Sequence, residues 1–144
     1  MKRIISALLV AVLLITCIGT SSFAIESNDI VRPYYNNTDY VTINLSISDT
    51  GKATVKLTCK GETGVTTKIT AVSYLQRKVG LIWVKVDNGL DGKKWNDTVN
   101  GVNLIKTHTL QLEKTGSYRA KVEYTVYGSG GSADVIEKTV TAEY

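Results

Sequence analysis

The chain holds one histidine, His108, and two cysteines, Cys17 and Cys59. A Cys/His nucleophile pair needs an exposed thiol beside the imidazole, and no catalytic signature flanks Cys59. A Ser/His/Asp arrangement would have to use His108, yet no G-x-S-x-G elbow is present. Catalytic zinc draws on two or three histidines, more than the chain contains. Paired carboxylates could hydrolyse glycosides, but the 13 acidic residues are scattered over turns and polar faces. The residue types point to a protein that binds rather than one that catalyses, with no cofactor and no metal.

The segment from Asp87 to Gly101, "DNGLDGKKWNDTVNG", is the least regular part of the chain. It opens like a calcium loop, with Asp87, Asp91 and Gly92 at the first, fifth and sixth places. Gly89 and Thr98 stand where further ligands belong, the second in place of a bidentate Glu, so an ordinary Asn/Gly turn is the better reading. Rich in Asn, Asp and Gly, the whole segment is expected to be a surface loop. Trp95 lies in it beside Lys93 and Lys94. A tryptophan there either folds back to cap the core or meets a ligand. On the second alternative Trp95, Lys93, Lys94 and Tyr127 form the contact set, with Tyr34 and Tyr35 as further surface aromatics. Rigid aromatic area suits proteins and sugars alike, so the expected partner is an extracellular protein or a glycan.

These residues must be positioned by strands. "YVTINLSIS" puts Val41, Ile43, Leu45 and Ile47 on one face, and "KATVKLTCK" does the same with Ala53, Val55, Leu57 and Cys59. The "DTG" turn signal, Asp49 to Gly51, joins the two runs into a hairpin. Cys59 therefore points inward as a small hydrophobe. Ile69 to Leu75 and Leu81 to Val86 read as further strands, followed beyond the polar segment by "NLIKTHTLQL". The cleanest alternation is in "SYRAKVEYTVY", with Tyr118, Ala120, Val122, Tyr124 and Val126 inward. "GSGGS" turns the chain into a last strand, "ADVIEKTVTAEY". About seven strands with turn signals at short intervals and no helical period make an all-β antiparallel sandwich without a structural disulfide.

The N-terminus reads as a leader. Lys2 and Arg3 precede an apolar run from Ile4 to Ile18, and "SFA", Ser22 to Ala24, is a small-x-small cleavage site. The run is shorter than the roughly 20 residues a membrane span requires. Residues 1–24 are expected to be removed, leaving one domain over 25–144 that is secreted and makes no stable membrane insertion. "LITC", Leu14 to Cys17, resembles a bacterial lipobox, but Thr16 occupies a place usual for Gly, Ala or Ser. Lipid anchoring through Cys17 is therefore the weaker alternative. The triplets at Asn36, Asn44 and Asn96 give no reliable hint of glycosylation. A net charge of +4, with no basic run longer than a pair such as Lys93-Lys94, excludes a nucleic-acid footprint.

Within this pattern "GKATVKLTCKG" resembles an immunoglobulin B strand with Cys59 in the cysteine place, and "EKTGSYRA" resembles the approach to strand F. Tyr118 matches the tyrosine corner, and Ala120 stands where the second cysteine belongs. "YLQRK", Tyr74 to Lys78, is faintly like strand C, although the tryptophan buried there in true immunoglobulin domains is missing and Trp83 comes too late. The chain thus resembles the Ig-like sandwich superfamily in its broad sense. That resemblance implies that Cys59 and Ala120 face each other across the core, so that Ala120→Cys would form a disulfide. Over most of 25–144 the chain is also similar to a family of small secreted proteins of Gram-positive bacteria, a domain of unknown function. The match runs through Leu75-Gln76, Trp83 and Gly116 to Arg119. It implies export and a β fold and supplies no activity. The expected role is a non-catalytic binding or surface-interaction module, the alternative a small antimicrobial or toxin-like effector.

Overall fold

Alternating apolar and polar residues make half-buried strands, and the described residues form eight of them: β1 Thr38–Ile47, β2 Lys52–Gly61, β3 Thr66–Val79, β4 Ile82–Lys85, β5 Trp95–Val99, β6 Asn103–Gln111, β7 Ser117–Gly128 and β8 Asp134–Glu143. The computed structural model describes residues 34–144. The leader, its cleavage site before Ile25 and the lipobox-like Cys17 lie outside the described residues. Among the described residues no helix is long and apolar enough to cross a membrane.

The strands form two antiparallel sheets that together make a β-sandwich. One is three-stranded, in the order β1-β2-β6. The other is five-stranded, in the order β4-β3-β7-β8, with β5 also paired to β3. Because β3 is long, its outer edge is shared: Gln76 to Val79 pair with β4, and Ile69 to Ser73 pair with β5. The expected hairpin forms, with Leu45 opposite Val55 and Val41 opposite Cys59. Its turn requires Gly51, whose φ is +80°, and a Cβ there would lie 2.6 Å from the Tyr144 hydroxyl and 2.9 Å from the Leu112 carbonyl. Two independent constraints, backbone hand and space, thus meet at one glycine.

Inward rows from both sheets build the core. Val55, Leu57 and Cys59 of β2 and Leu104 of β6 meet Ile69, Ala71 and Leu75 of β3 and the full row Tyr118, Ala120, Val122, Tyr124 and Val126 of β7. Packing of this kind supplies most of the stability of a sandwich. Tyr118 forms the expected corner, its hydroxyl donating to the Lys114 carbonyl. Cys59 is free and buried. Burial, and after it the charge of Asp134, pushes its thiol up to about 12.

Two expectations change. The segment from Asp87 to Gly101 is not all loop, because its second half is β5. There Trp95 is buried and Asp97 and Val99 are partly buried, while Asn96 and Thr98 face out. The period-2 signal was present but hidden by polar residue types. The second change concerns Cys59 and Ala120, which do not lie at the same level of the sandwich. Cys59 is near the end of β2, beside Gly61, where an added side chain would run into Thr66. Thr66 pairs with Gly128, at the far end of β7 from Ala120. Tyr124 confirms the level: its hydroxyl donates to the Thr42 carbonyl at 2.8 Å, and Thr42 pairs with Thr58. At about 3.3 Å per residue, Cys59 and Ala120 are offset by about four to six residues of β7, roughly 13–20 Å along the strands, beyond the reach of a disulfide. Ala120→Cys is therefore expected to keep two free thiols, counted by thiol titration in denaturant after air oxidation of the folded monomer. An intramolecular disulfide between them would overturn this register.

Candidate functional site

The polar segment holds its own shape. The Asp87 carboxylate accepts the Gly89 amide at 2.9 Å, and Asn88 Oδ1 accepts the Leu90 amide at 3.1 Å. The Gly89 amide and then the Lys93 ammonium hold the Asp87 carboxyl below its usual range. Lys93 Nζ reaches Asp87 at 3.5 Å, and among the described residues no group of three or more potential ligands is placed to hold a metal ion. Asn/Asp turn chemistry accounts for the calcium-like spelling.

Trp95 folds back. It is 9% exposed and its indole stacks on the imidazole of His108, with centroids 4.8 Å apart and planes 6° from parallel. Two residues along β5, Asp97 Oδ2 lies 2.7 Å from His108 Nε2. Asp97 belongs to the five-stranded sheet and His108 to the three-stranded one, so this contact joins the two sheets along one side of the sandwich. Ser73, paired with Trp95 across the strands, is fully buried and its hydroxyl has no hydrogen-bond partner among the described residues. The three residue types of a hydrolytic triad are thus in one neighbourhood, but the serine makes no hydrogen bond to the ring. The arrangement is a structural clasp. Of the expected contact set, Trp95 is in the core, Lys93 and Lys94 lie on the adjoining loop, and Tyr127 is at the far end of β7, exposed on the opposite face of the sheet from Trp95.

That opposite face carries three aromatics, Trp83, Tyr74 and Tyr127. On the solvent side of the five-stranded sheet, three rings each have a cation above them. Arg119 lies 4.5 Å from the centroid of Trp83, Lys85 lies 4.5 Å from Tyr74, and Lys68 lies 5.3 Å from Tyr127. The strand registers enforce this. Lys78 pairs with Trp83, Gln76 with both Lys85 and Arg119, and Lys68 with Tyr127, and directly paired residues project from the same face. Arg119 is fixed further by donating from Nε to Gln76 Oε1 at 2.6 Å. A shallow depression of about 140 Å³ lies between Tyr74, Val72, Lys121, Glu123 and Glu137 on the same face. Trp83, Tyr74 and Arg119 did not enter the expected contact set. The signal that would have found them is parity: with Leu75 inward, Tyr74 and Gln76 must point out, and their partners with them.

A larger cleft, about 290 Å³, lies where the end of the β3–β4 hairpin passes the β6–β7 loop. Val79, Val84, Val86 and Leu112 supply apolar wall, and Arg77, Lys85, Asp87, Glu113 and Lys114 its charged rim. No protein-family model matches the chain, and no curated protein matches it.

Proposed function

We propose that this protein is an exported, non-catalytic binding module that meets an extracellular protein or glycan through the outer face of its five-stranded sheet. The observation that supports this reading is the set of three cation-capped rings, Trp83, Tyr74 and Tyr127, on one solvent face. Aromatic and arginine side chains contribute most at binding surfaces because they give large contact area at low entropic cost. Here the registers hold both partners of each pair in place before any ligand arrives. The Trp95–His108–Asp97 clasp keeps β5 against β6 and so supports the five-stranded sheet from behind, while Lys93 and Lys94 stand at its margin.

A screen of glycans, cell-wall preparations and surface proteins tests the proposal. Tyr74→Ala and Tyr127→Ala are expected to weaken the ligand so found by about tenfold or more, corresponding to about 1.4 kcal/mol, with an unchanged melting temperature. Full affinity in both variants would move the site elsewhere. The mass of the exported protein distinguishes cleavage before Ile25 from lipid attachment at Cys17.

A further inference from the structure

The β3–β4 hairpin ends in exposed aliphatic side chains. Leu81, at the apex, is 97% exposed, Ile82 is 63% exposed, and Val79 and Val84 are close to half exposed. Val79 pairs with Ile82 and Arg77 with Val84, so the apolar residues of both strands lie together on one face of the arm beside the apex. From Arg77 to Val86 the sequence contains three cations, Arg77, Lys78 and Lys85, and no acid. Asp87 and Glu113 line the adjoining cleft with Lys114, and Asp87 is paired with Lys93 at 3.5 Å.

We propose that this hairpin is a peripheral membrane anchor, with Leu81 and Ile82 entering an anionic lipid surface while Arg77, Lys78 and Lys85 meet the headgroups. The spacing supports the assignment. Lys78, Arg77 and Lys85 follow the apex at two, three and four strand steps of about 3.3 Å each. The backbone of the cations therefore sits about 7–13 Å behind the apex, at and just above the roughly 5–10 Å to which interfacial elements bury their apolar face. Trp83, paired with Lys78, lies at the same depth, the level at which tryptophan partitions at membrane interfaces. Flanking cations add about tenfold or less each near an anionic surface. A second copy of the chain is the weaker occupant. A few side chains on a protruding two-stranded arm fall well short of the 20–30 residues a side, or about 800 Å², of a stable protein interface. The anchor docks on a bilayer without spanning it and goes beyond the protein or glycan contact proposed for the outer face, with which it shares Trp83 and Lys85.

The test uses the processed chain from Ile25, which contains the whole described core. It is sedimented with vesicles of phosphatidylcholine alone and of phosphatidylcholine mixed with phosphatidylglycerol. Wild type is expected to sediment with the anionic vesicles, to be released by raised salt, and to show a blue shift of tryptophan emission when bound. Leu81→Glu is expected to lower partitioning more than about tenfold, since it removes an inserted aliphatic and adds a like charge. Lys78→Glu with Lys85→Glu is expected to lower binding to anionic vesicles by a similar factor. Both variants lie on an exposed arm and should melt with wild type. Failure of wild type to bind anionic vesicles, or undiminished binding by Leu81→Glu, overturns the proposal. A concentration-dependent dimer that Leu81→Glu abolishes, without vesicle binding, assigns the tip to a second copy and overturns it as well.

Discussion

Trp95→Ala is expected to destabilise the fold by roughly 3–5 kcal/mol, the usual range for deleting a large buried aromatic, and to lower the melting temperature by about 10–20 °C. Trp95 is one of the core residues, and its loss would open a cavity between β5 and β6. It would also remove the stack on His108, which adds about 0.5–1.5 kcal/mol beyond burial. The hydrogen bond between Asp97 and His108 would then face water, and the link between the two sheets along that side would weaken. Trp95→Phe, which keeps an aromatic ring against the imidazole, is expected to lose about half as much. The chain's other tryptophan gives the internal comparison. Trp83→Ala removes a half-buried ring from the outer face and is expected to change stability by less than about 1 kcal/mol. Urea unfolding of the three variants measures all of this. Equal losses at the two tryptophans would mean that the clasp is not what holds β5 in place.

The contrast between those tryptophans marks where local pattern stops being informative. Strict alternation placed the β7 row from Tyr118 to Val126 inward, and the same reasoning joined the rows of Leu45 and Val55 into the first hairpin. Both depend only on the period of two and a turn signal. In β5 the same period is spelled with Asp97 facing inward and Asn96 and Thr98 facing out. An inward aspartate reads as loop unless its partner is known, and that partner, His108, is on a strand of the other sheet. Level across the sandwich is a still longer-range property. Cys59 and Ala120 each occupy an inward place that alternation identifies, but no local feature states which residue of β7 stands opposite which residue of β2. The tyrosine corner at Tyr118 marks the start of β7 and leaves that offset free. The outer face was legible in principle, because parity fixes Tyr74 and Arg119 outward once Leu75 and Ala120 are inward. The apex Leu81 lay inside a segment that composition marks only as a strand.

Asp134→Ala is the second large effect expected, because one carboxylate organises an entire end of the sandwich. Asp134 is 8% exposed at the start of β8. Its Oδ1 accepts the Asn36 amide at 3.1 Å, and its Oδ2 accepts the Asn37 amide and the Thr38 hydroxyl, both at 2.8 Å. Asn37 is fully buried and extends the network. Its Nδ2 donates to the Ser132 carbonyl at 2.8 Å, its Oδ1 accepts the Gly130 amide at 3.2 Å, and its own carbonyl accepts the Thr66 hydroxyl and the Glu62 amide. The start of β1, the β2–β3 turn and the β7–β8 loop are thereby tied to one another through two side chains. Alanine at 134 would leave three donors without their acceptor. Hydrogen bonds to a charged group contribute about 1.5–3 kcal/mol each and are not additive within one network, so a total loss of roughly 3–5 kcal/mol is expected. Asp134→Asn keeps one acceptor oxygen and is expected to lose about half of that. Asn37→Ala should also be strongly destabilising, and the double variant should lose clearly less than the sum of the two, since both act on the same tie. Cys59 offers a local readout, because it is buried near this end of the core and Asp134 contributes to raising its thiol pKa. In native buffer the Asp134→Ala variant should react with a thiol reagent faster than wild type, as the end opens more often. A stability loss below about 1 kcal/mol together with an unchanged thiol rate would show that the apolar rows hold this end without the carboxylate.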